Sequence, residues 1–305
     1  MGEPGGFKEL QEAFGIPGIV KFEAGQYGLL RATVTAPQAD AHVYLHGAHV
    51  THYQPRDHEP VLFTSAHSSF EQGKPIRGGV PLVFPWFGPR TGDPSAPMHG
   101  FARLVRWGVE ATSRGADGSV TLVLALDRSG AMAPPWPHDF TLRYRIVVGS
   151  MLELALEVQN TSGTPWTFEE ALHTYLAVSD VREVSIRGLA GVDYLDKTDG
   201  MKRKRQDSDP IRIAGETDRV YLNTQTTCVL DDPVGGRWLL VEKSGSDVTV
   251  VWNPWITKAK ALPDFGDEEW LRMLCIETCN AADHAITLGP GARHEMCARI
   301  KSELR

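Results

Sequence analysis

The sequence predicts an all-β protein, a sandwich or barrel of mostly antiparallel strands. Three observations carry that expectation. More than a dozen short apolar runs, some alternating with period two, are separated by turn-forming residues. Helical periodicity is scarce beyond one short stretch near the N-terminus. No repeating strand-helix unit is visible, which argues against a parallel α/β sheet.

Residues 7–14 (FKELQEAF) read as one short helix, closed by Gly15 and Pro17. Residues 19–22, 29–35 and 41–45 read as short strands, and 120–126 (VTLVLAL) alternates in part. Residues 141–148 and 151–160 are clearer. The run MLELALEVQN sets Leu152, Leu154, Leu156 and Val158 on one face and Glu153, Glu157 and Gln159 on the other. That is a half-buried antiparallel strand. Gly149-Ser150 between the two runs is a two-residue hairpin signal. Residues 184–186, 219–222, 227–230, 238–243, 248–252 and 273–277 continue the series, and 285–288 and 293–300 close it. The basic run 201–205 (MKRKR), followed by Asp207 and Asp209, reads as a solvated loop.

No composition shift, linker or internal repeat divides the 305 residues. One domain over 1–305 is therefore expected, with about 1–18 as an N-terminal extension. A single domain of this length buries about 75% of its unfolded surface. The net charge of −7 argues against nucleic acid or an anionic membrane surface as a partner. An anionic ligand would need a local cationic pocket against that field. Cys228, Cys275, Cys279 and Cys297 lack paired zinc-site spacing and read as buried thiols. The start lacks a basic and an apolar leader region, and no apolar run spans a bilayer, so a reduced, cytoplasmic protein is expected.

The stretch 74–103 (KPIRGGVPLVFPWFGPRTGDPSAPMHGFAR) stands out. Pro81 and Pro85 interrupt an apolar and aromatic centre, making a poor interior strand and an impossible helix interior. Lys74, Arg77, Arg90, Arg103 and Arg106 surround it, and His99 sits in a Met-His-Gly-Phe turn. Gly78-Gly79 lets the backbone bend or approach another segment closely. Such a loop suits a pocket for an anionic, ring-shaped ligand. It also suits a buried crossover whose arginines pair with surface acids.

Six histidines (42, 46, 49, 52, 58 and 67) crowd the N-terminal third without a cysteine or acid at convincing metal spacing. His173, flanked by apolar residues in FEEALHTY, would point off a strand as a proton carrier or as a satisfied core histidine. Glu277 ends the apolar run RMLCIE, where burial would raise its pKa and make it a better base; a salt bridge is the alternative. Asp218 is either a ligand-orienting acid or a turn residue before a strand. No Gly-x-Ser-x-Gly elbow, P-loop or dinucleotide fingerprint is present, so serine nucleophile and nucleotide chemistry have no support.

Together the segments PIRGGVPLVFPWFG (75–88), HGFAR (99–103), LHTY (172–175), TDRVY (217–221), WNPW (252–255) and MLCIE (273–277) resemble the aldose 1-epimerase superfamily. Within it they resemble the hexose-6-phosphate mutarotases. The resemblance implies a galactose mutarotase-like β-sandwich, or supersandwich, acting as an isomerase without metal or organic cofactor. It implies Glu277 as general base and His173 as general acid on either side of a pyranose. It implies His99 and Asp218 as sugar-binding groups, and Arg77 and Arg103 as a phosphate clamp with Lys74 beside them. The expected partner is a small-molecule sugar phosphate, glucose 6-phosphate first, and the expected state is a monomer. Trp86, Phe87 and Trp255 either stack on the sugar or belong to the core. A mutarotase for neutral sugars and a non-catalytic carbohydrate-binding protein are the alternatives.

Overall fold

The computed structural model describes residues 6–129 and 136–305, so residues 1–5 of the expected extension lie outside it. Among the described residues, strands dominate and two α-helices occur, Phe7–Phe14 and Trp255–Ala261. The first is the expected one, and the Gly15 N–H closes it on the Gln11 carbonyl at 3.0 Å. The second was not anticipated. It starts where Asn253 Oδ1 accepts from the Trp255 N–H at 2.9 Å, directly after a strand.

A nine-stranded and an eight-stranded sheet make up most of the fold, with a four-stranded and a two-stranded sheet beside them. The nine-stranded sheet runs Ile211–Arg212, Ser185–Arg187, Cys228–Asp232, Arg237–Ser244, Arg293–Leu304, Leu152–Asn160, Phe140–Val148, Val120–Asp127, Gly108–Arg114. Its neighbours are antiparallel throughout. The period-two reading holds: Leu152, Leu154, Leu156 and Val158 are buried, while Glu153, Glu157 and Gln159 stay partly exposed. The hairpin before that strand differs from the expectation. Val148 pairs with Leu152, leaving a three-residue loop, 149–151, closed by Gly149 N–H to Met151 O.

The eight-stranded sheet runs Lys202–Arg205, Asp193–Asp196, Thr217–Tyr221, Val248–Asn253, Met273–Asn280, Glu170–Leu172, Leu82–Val83, and Tyr175–Ala177 also pairs with Met273–Asn280. The basic run is thus an edge strand, not a free loop. Arg203 and Arg205 pair with Asp193 at 3.3 and 3.0 Å, and Lys204 pairs with Asp196 at 2.7 Å. Charged side chains on an edge also deter pairing with another chain. Met273–Asn280 is the hub, and all eight of its residues are buried. Glu277 therefore lies inside a strand instead of ending one. Its last three residues go unread in the sequence because Thr278, Cys279 and Asn280 break the apolar run while the backbone continues.

The Pro-rich stretch behaves as its prolines dictate. Only Leu82–Val83, between Pro81 and Pro85, forms a strand, at the sheet's edge. The prolines lack N–H donors, but their carbonyls are used: Glu169 N–H reaches Pro85 O at 2.9 Å and His173 N–H reaches Pro81 O at 3.1 Å. Gly100 sits at φ +73°, where an added Cβ would lie 1.9 Å from Phe84 O. Gly100→Ala is therefore expected to cost at least about 2 kcal/mol through handedness and clash together. Thermal unfolding measures it, and a midpoint equal to that of the unsubstituted protein would contradict the packing described.

Candidate active site

The site forms where the Pro-rich stretch meets the hub strand. Asp218, Trp252, Cys275 and Tyr175 are successive cross-strand partners, so their side chains leave one face of the sheet in a row. Glu277, two residues beyond Cys275, leaves the same face. His173 falls in the break between Glu170–Leu172 and Tyr175–Ala177, just after a strand and not on one. Its ring stacks on Tyr175 at 4.9 Å and 13°, and meets Trp252 edge-on at 6.0 Å.

His173 Nε2 lies 3.3 Å from Glu277 Oε1. The two groups expected on either side of a sugar ring thus stand in contact with each other in the free site. Burial pushes the Glu277 carboxyl well above the usual carboxylate range, and the nearby Asp218 charge adds to it. Burial pushes His173 well below the usual imidazole value, with Arg103 and Arg77 acting the same way.

His99 occupies a left-handed backbone position, φ +63°. Its Nδ1 accepts from the Gly88 N–H at 3.2 Å, which leaves Nε2 as the protonated nitrogen when the ring is neutral. Its ring meets Phe87 at 4.9 Å and His173 at 5.7 Å. Burial, followed by Arg103, keeps it well below the ordinary imidazole value.

The cations divide into three kinds. Arg77 is held: Nε and Nη2 donate to Asp264 Oδ1 at 3.2 and 3.1 Å, and Nη1 donates to the Tyr175 hydroxyl at 3.1 Å. Arg103 is 8% exposed and donates Nη2–H to the Met98 carbonyl at 2.7 Å. Among the described residues its Nε has no partner and no carboxylate pairs with it. Burial, with Arg77 adding to it, pushes its pKa down to about 10. Lys74 is exposed and pairs with Glu71 at 2.7 Å, so its charge is engaged at the surface. Trp86 is core, with Nε1–H donating to Pro97 O, and Trp255 packs on Trp270 at 4.4 Å. Of the three aromatics, Phe87 is the one at the site.

Sequence reasoning missed four groups. Lys197 Nζ stands 3.2 Å from Asp218 Oδ2 and 5.5 Å from the Phe87 ring centroid. Asp264 and Tyr175 fix Arg77, and Cys275 lies beside the pair, its thiol, the His173 ring and the Glu277 carboxylate offering ligand atoms within 4.8 Å of one another. The LHTY and MLCIE segments pass through Tyr175 and Cys275 without giving either a part in the site. Lys197 and Asp264 sit in polar turns that carry no periodic signal.

The family model for aldose 1-epimerase matches residues 31–301, nearly the whole chain. The chain belongs to the aldose 1-epimerase family. Among curated relatives of this epimerase, a Cenchrus ciliaris protein named "Putative glucose-6-phosphate 1-epimerase" is 36% identical over 261 residues, covering 82% of this chain and 78% of the relative. A protein of the same name from Escherichia coli strain K12 is 36% identical over 250 residues, covering 82% of this chain and 83% of the relative. Among solved structures, "a putative mutarotase (YeaD)" from Salmonella typhimurium superposes with a TM-score of 0.88 at 30% identity, covering 94% of each chain. A galactose mutarotase-like protein from Clostridium acetobutylicum, at 14% identity and a TM-score of 0.69 over 94% of this chain and 98% of that one, shares the fold alone. This epimerase therefore has the galactose mutarotase-like β-sandwich that its sequence implied.

Proposed function

We propose that this epimerase interconverts the α and β anomers of a hexose 6-phosphate, glucose 6-phosphate first. The observation that carries the reading is the contact of a buried imidazole with a buried carboxyl beside a guanidinium with no carboxylate partner among the described residues. A neutral sugar would give Arg103 no reason to be buried and charged; a phosphate monoester supplies the missing anion.

In this reading Glu277 takes the proton of the anomeric hydroxyl while His173 protonates the ring oxygen. The ring opens to the aldehyde, the C1–C2 bond rotates, and the ring closes on the other face with the roles exchanged. The pair needs one proton between its two members, on His173 at the start. Phosphate binding favours that state: burial is the main cause that holds the imidazole down, and the anion offsets the part that Arg103 and Arg77 add. His99 and Asp218 contact sugar hydroxyls, and Lys197 aligns Asp218. Lys74 has no assigned part, being engaged by Glu71.

The protein acts as a monomer on a small-molecule substrate. Among the described residues no helix is long and apolar enough to cross a membrane. NMR exchange spectroscopy on the two anomers tests the reading. Exchange is expected to accelerate more for glucose 6-phosphate than for glucose, and equal acceleration of both would favour the neutral-sugar alternative.

A further inference from the structure

Cys275 is the group beside the catalytic pair that the proton transfers leave unused. It lies two residues before Glu277 on the Met273–Asn280 strand, so both side chains leave the same face. One donor atom from each of His173, Cys275 and Glu277 lies within 4.8 Å of the others, and all three residues are buried. The 3.3 Å between His173 Nε2 and Glu277 Oε1 nearly equals the edge of a tetrahedron with metal bonds of about 2.0–2.1 Å.

We propose that His173, Cys275 and Glu277 form a binding site for a thiophilic divalent cation of the zinc type, and that its occupancy blocks the catalytic pair. The donor set selects the ion. One imidazole, one thiolate and one carboxylate suit zinc or cobalt, whereas calcium and magnesium demand oxygen ligands. Three protein ligands leave a fourth position for water. Thiol and carboxyl bind the cation as thiolate and carboxylate, so the protons that they carry pass to solvent as it binds. Arg77, Arg103 and Lys197 stand near the site and repel a divalent cation, partly cancelling the pull of thiolate and carboxylate, so the site is weaker than a dedicated zinc centre and fills according to free metal. The cation takes the carboxylate oxygen that accepts the proton in ring opening and the imidazole nitrogen that must carry the proton given to the ring oxygen. Inhibition therefore rests on the acid–base reading above, but binding does not.

Metal-stripped protein titrated with Co²⁺ tests the site. A thiolate-to-cobalt charge-transfer band is expected at one equivalent, and it should vanish in both Cys275→Ser and Cys275→Ala. It should persist in His52→Gln, which removes half of the cross-strand His42–His52 pair, whose rings lie 5.0 Å apart. Zn²⁺ should displace the cobalt and slow anomer exchange, with Cys275→Ser needing more than about 10-fold more zinc for the same slowing. Absence of the band overturns the proposal. So does a band that survives both Cys275 substitutions, with Cys279, 3.9 Å from Glu277, as its source. A Cys275-dependent band with unchanged exchange supports the site and overturns the acid–base reading.

Discussion

Glu277→Gln is expected to lower kcat for anomer exchange by about 10²- to 10⁴-fold, the share one placed proton-transfer group supplies. The substitution is close to isosteric. It leaves the backbone pairing of Met273–Asn280 with its neighbours intact, so the protein should stay folded. Because burial already keeps this carboxyl from ionising readily, a neutral amide costs little in stability at that position. The loss is therefore one of function. His173→Asn should fall by a similar factor, and the double variant should fall little further than the worse single one. In the proposed mechanism acid and base complete one proton circuit, and residues that act as a unit are not additive. The measurement is NMR exchange between anomers at saturating substrate. If either single variant keeps more than about a third of the original kcat, the assigned roles are wrong, because no proton-transfer group contributes so little.

Much of the fold was legible in the sequence because antiparallel strands with one buried face print their period into it. The run from Leu152 to Val158 shows this, since each alternate residue is buried. The strands that went unread lack that print. His49–Pro55 carries histidine, threonine and glutamine among its apolar residues, and Lys202–Arg205 is entirely cationic. Such strands are held by their neighbours: Lys202–Arg205 by Asp193–Asp196 and its acids, His49–Pro55 by the Ala39–Tyr44 strand. Local propensity does not record a neighbour.

The site was legible in part for a different reason. His173 and Glu277 are ionisable groups in apolar surroundings, and such groups stand out in a one-dimensional reading. Their contact distance was not legible. It arises because His173 lies in the break between two strands that both pair with the strand carrying Glu277. Lys197 and Asp264 went unseen for the complementary reason: a lysine or an aspartate in a polar turn looks like any solvated residue. Only tertiary structure brings Lys197 to Asp218 and Asp264 to Arg77. The same step separates the cations that looked equivalent in sequence. Arg103 is buried without a carboxylate among the described residues, Arg77 is braced, and Lys74 pairs at the surface.

Arg103→Met carries the second large expectation, and its value lies in moving two observables in opposite directions. At neutral pH the Arg103 charge costs stability, since burial and the neighbouring Arg77 both oppose it and hold its pKa down to about 10. Methionine fills a similar volume without that charge, so the unfolding midpoint should stay level or rise. A charge-assisted hydrogen bond from Arg103 to phosphate contributes about 1.5–3 kcal/mol net, so kcat/KM for glucose 6-phosphate should fall by about 10- to 150-fold. Most of that loss should appear in KM, because the phosphate lies away from the reacting carbon. Exchange of unphosphorylated glucose should change far less. A stability–activity trade-off of this kind marks a group kept for its ligand and not for the fold. Were Arg103→Met to lower the midpoint and slow glucose and glucose 6-phosphate alike, Arg103 would be a structural cation bonded to Met98 O, and the phosphate clamp would have to be sought at Arg77 and Lys197.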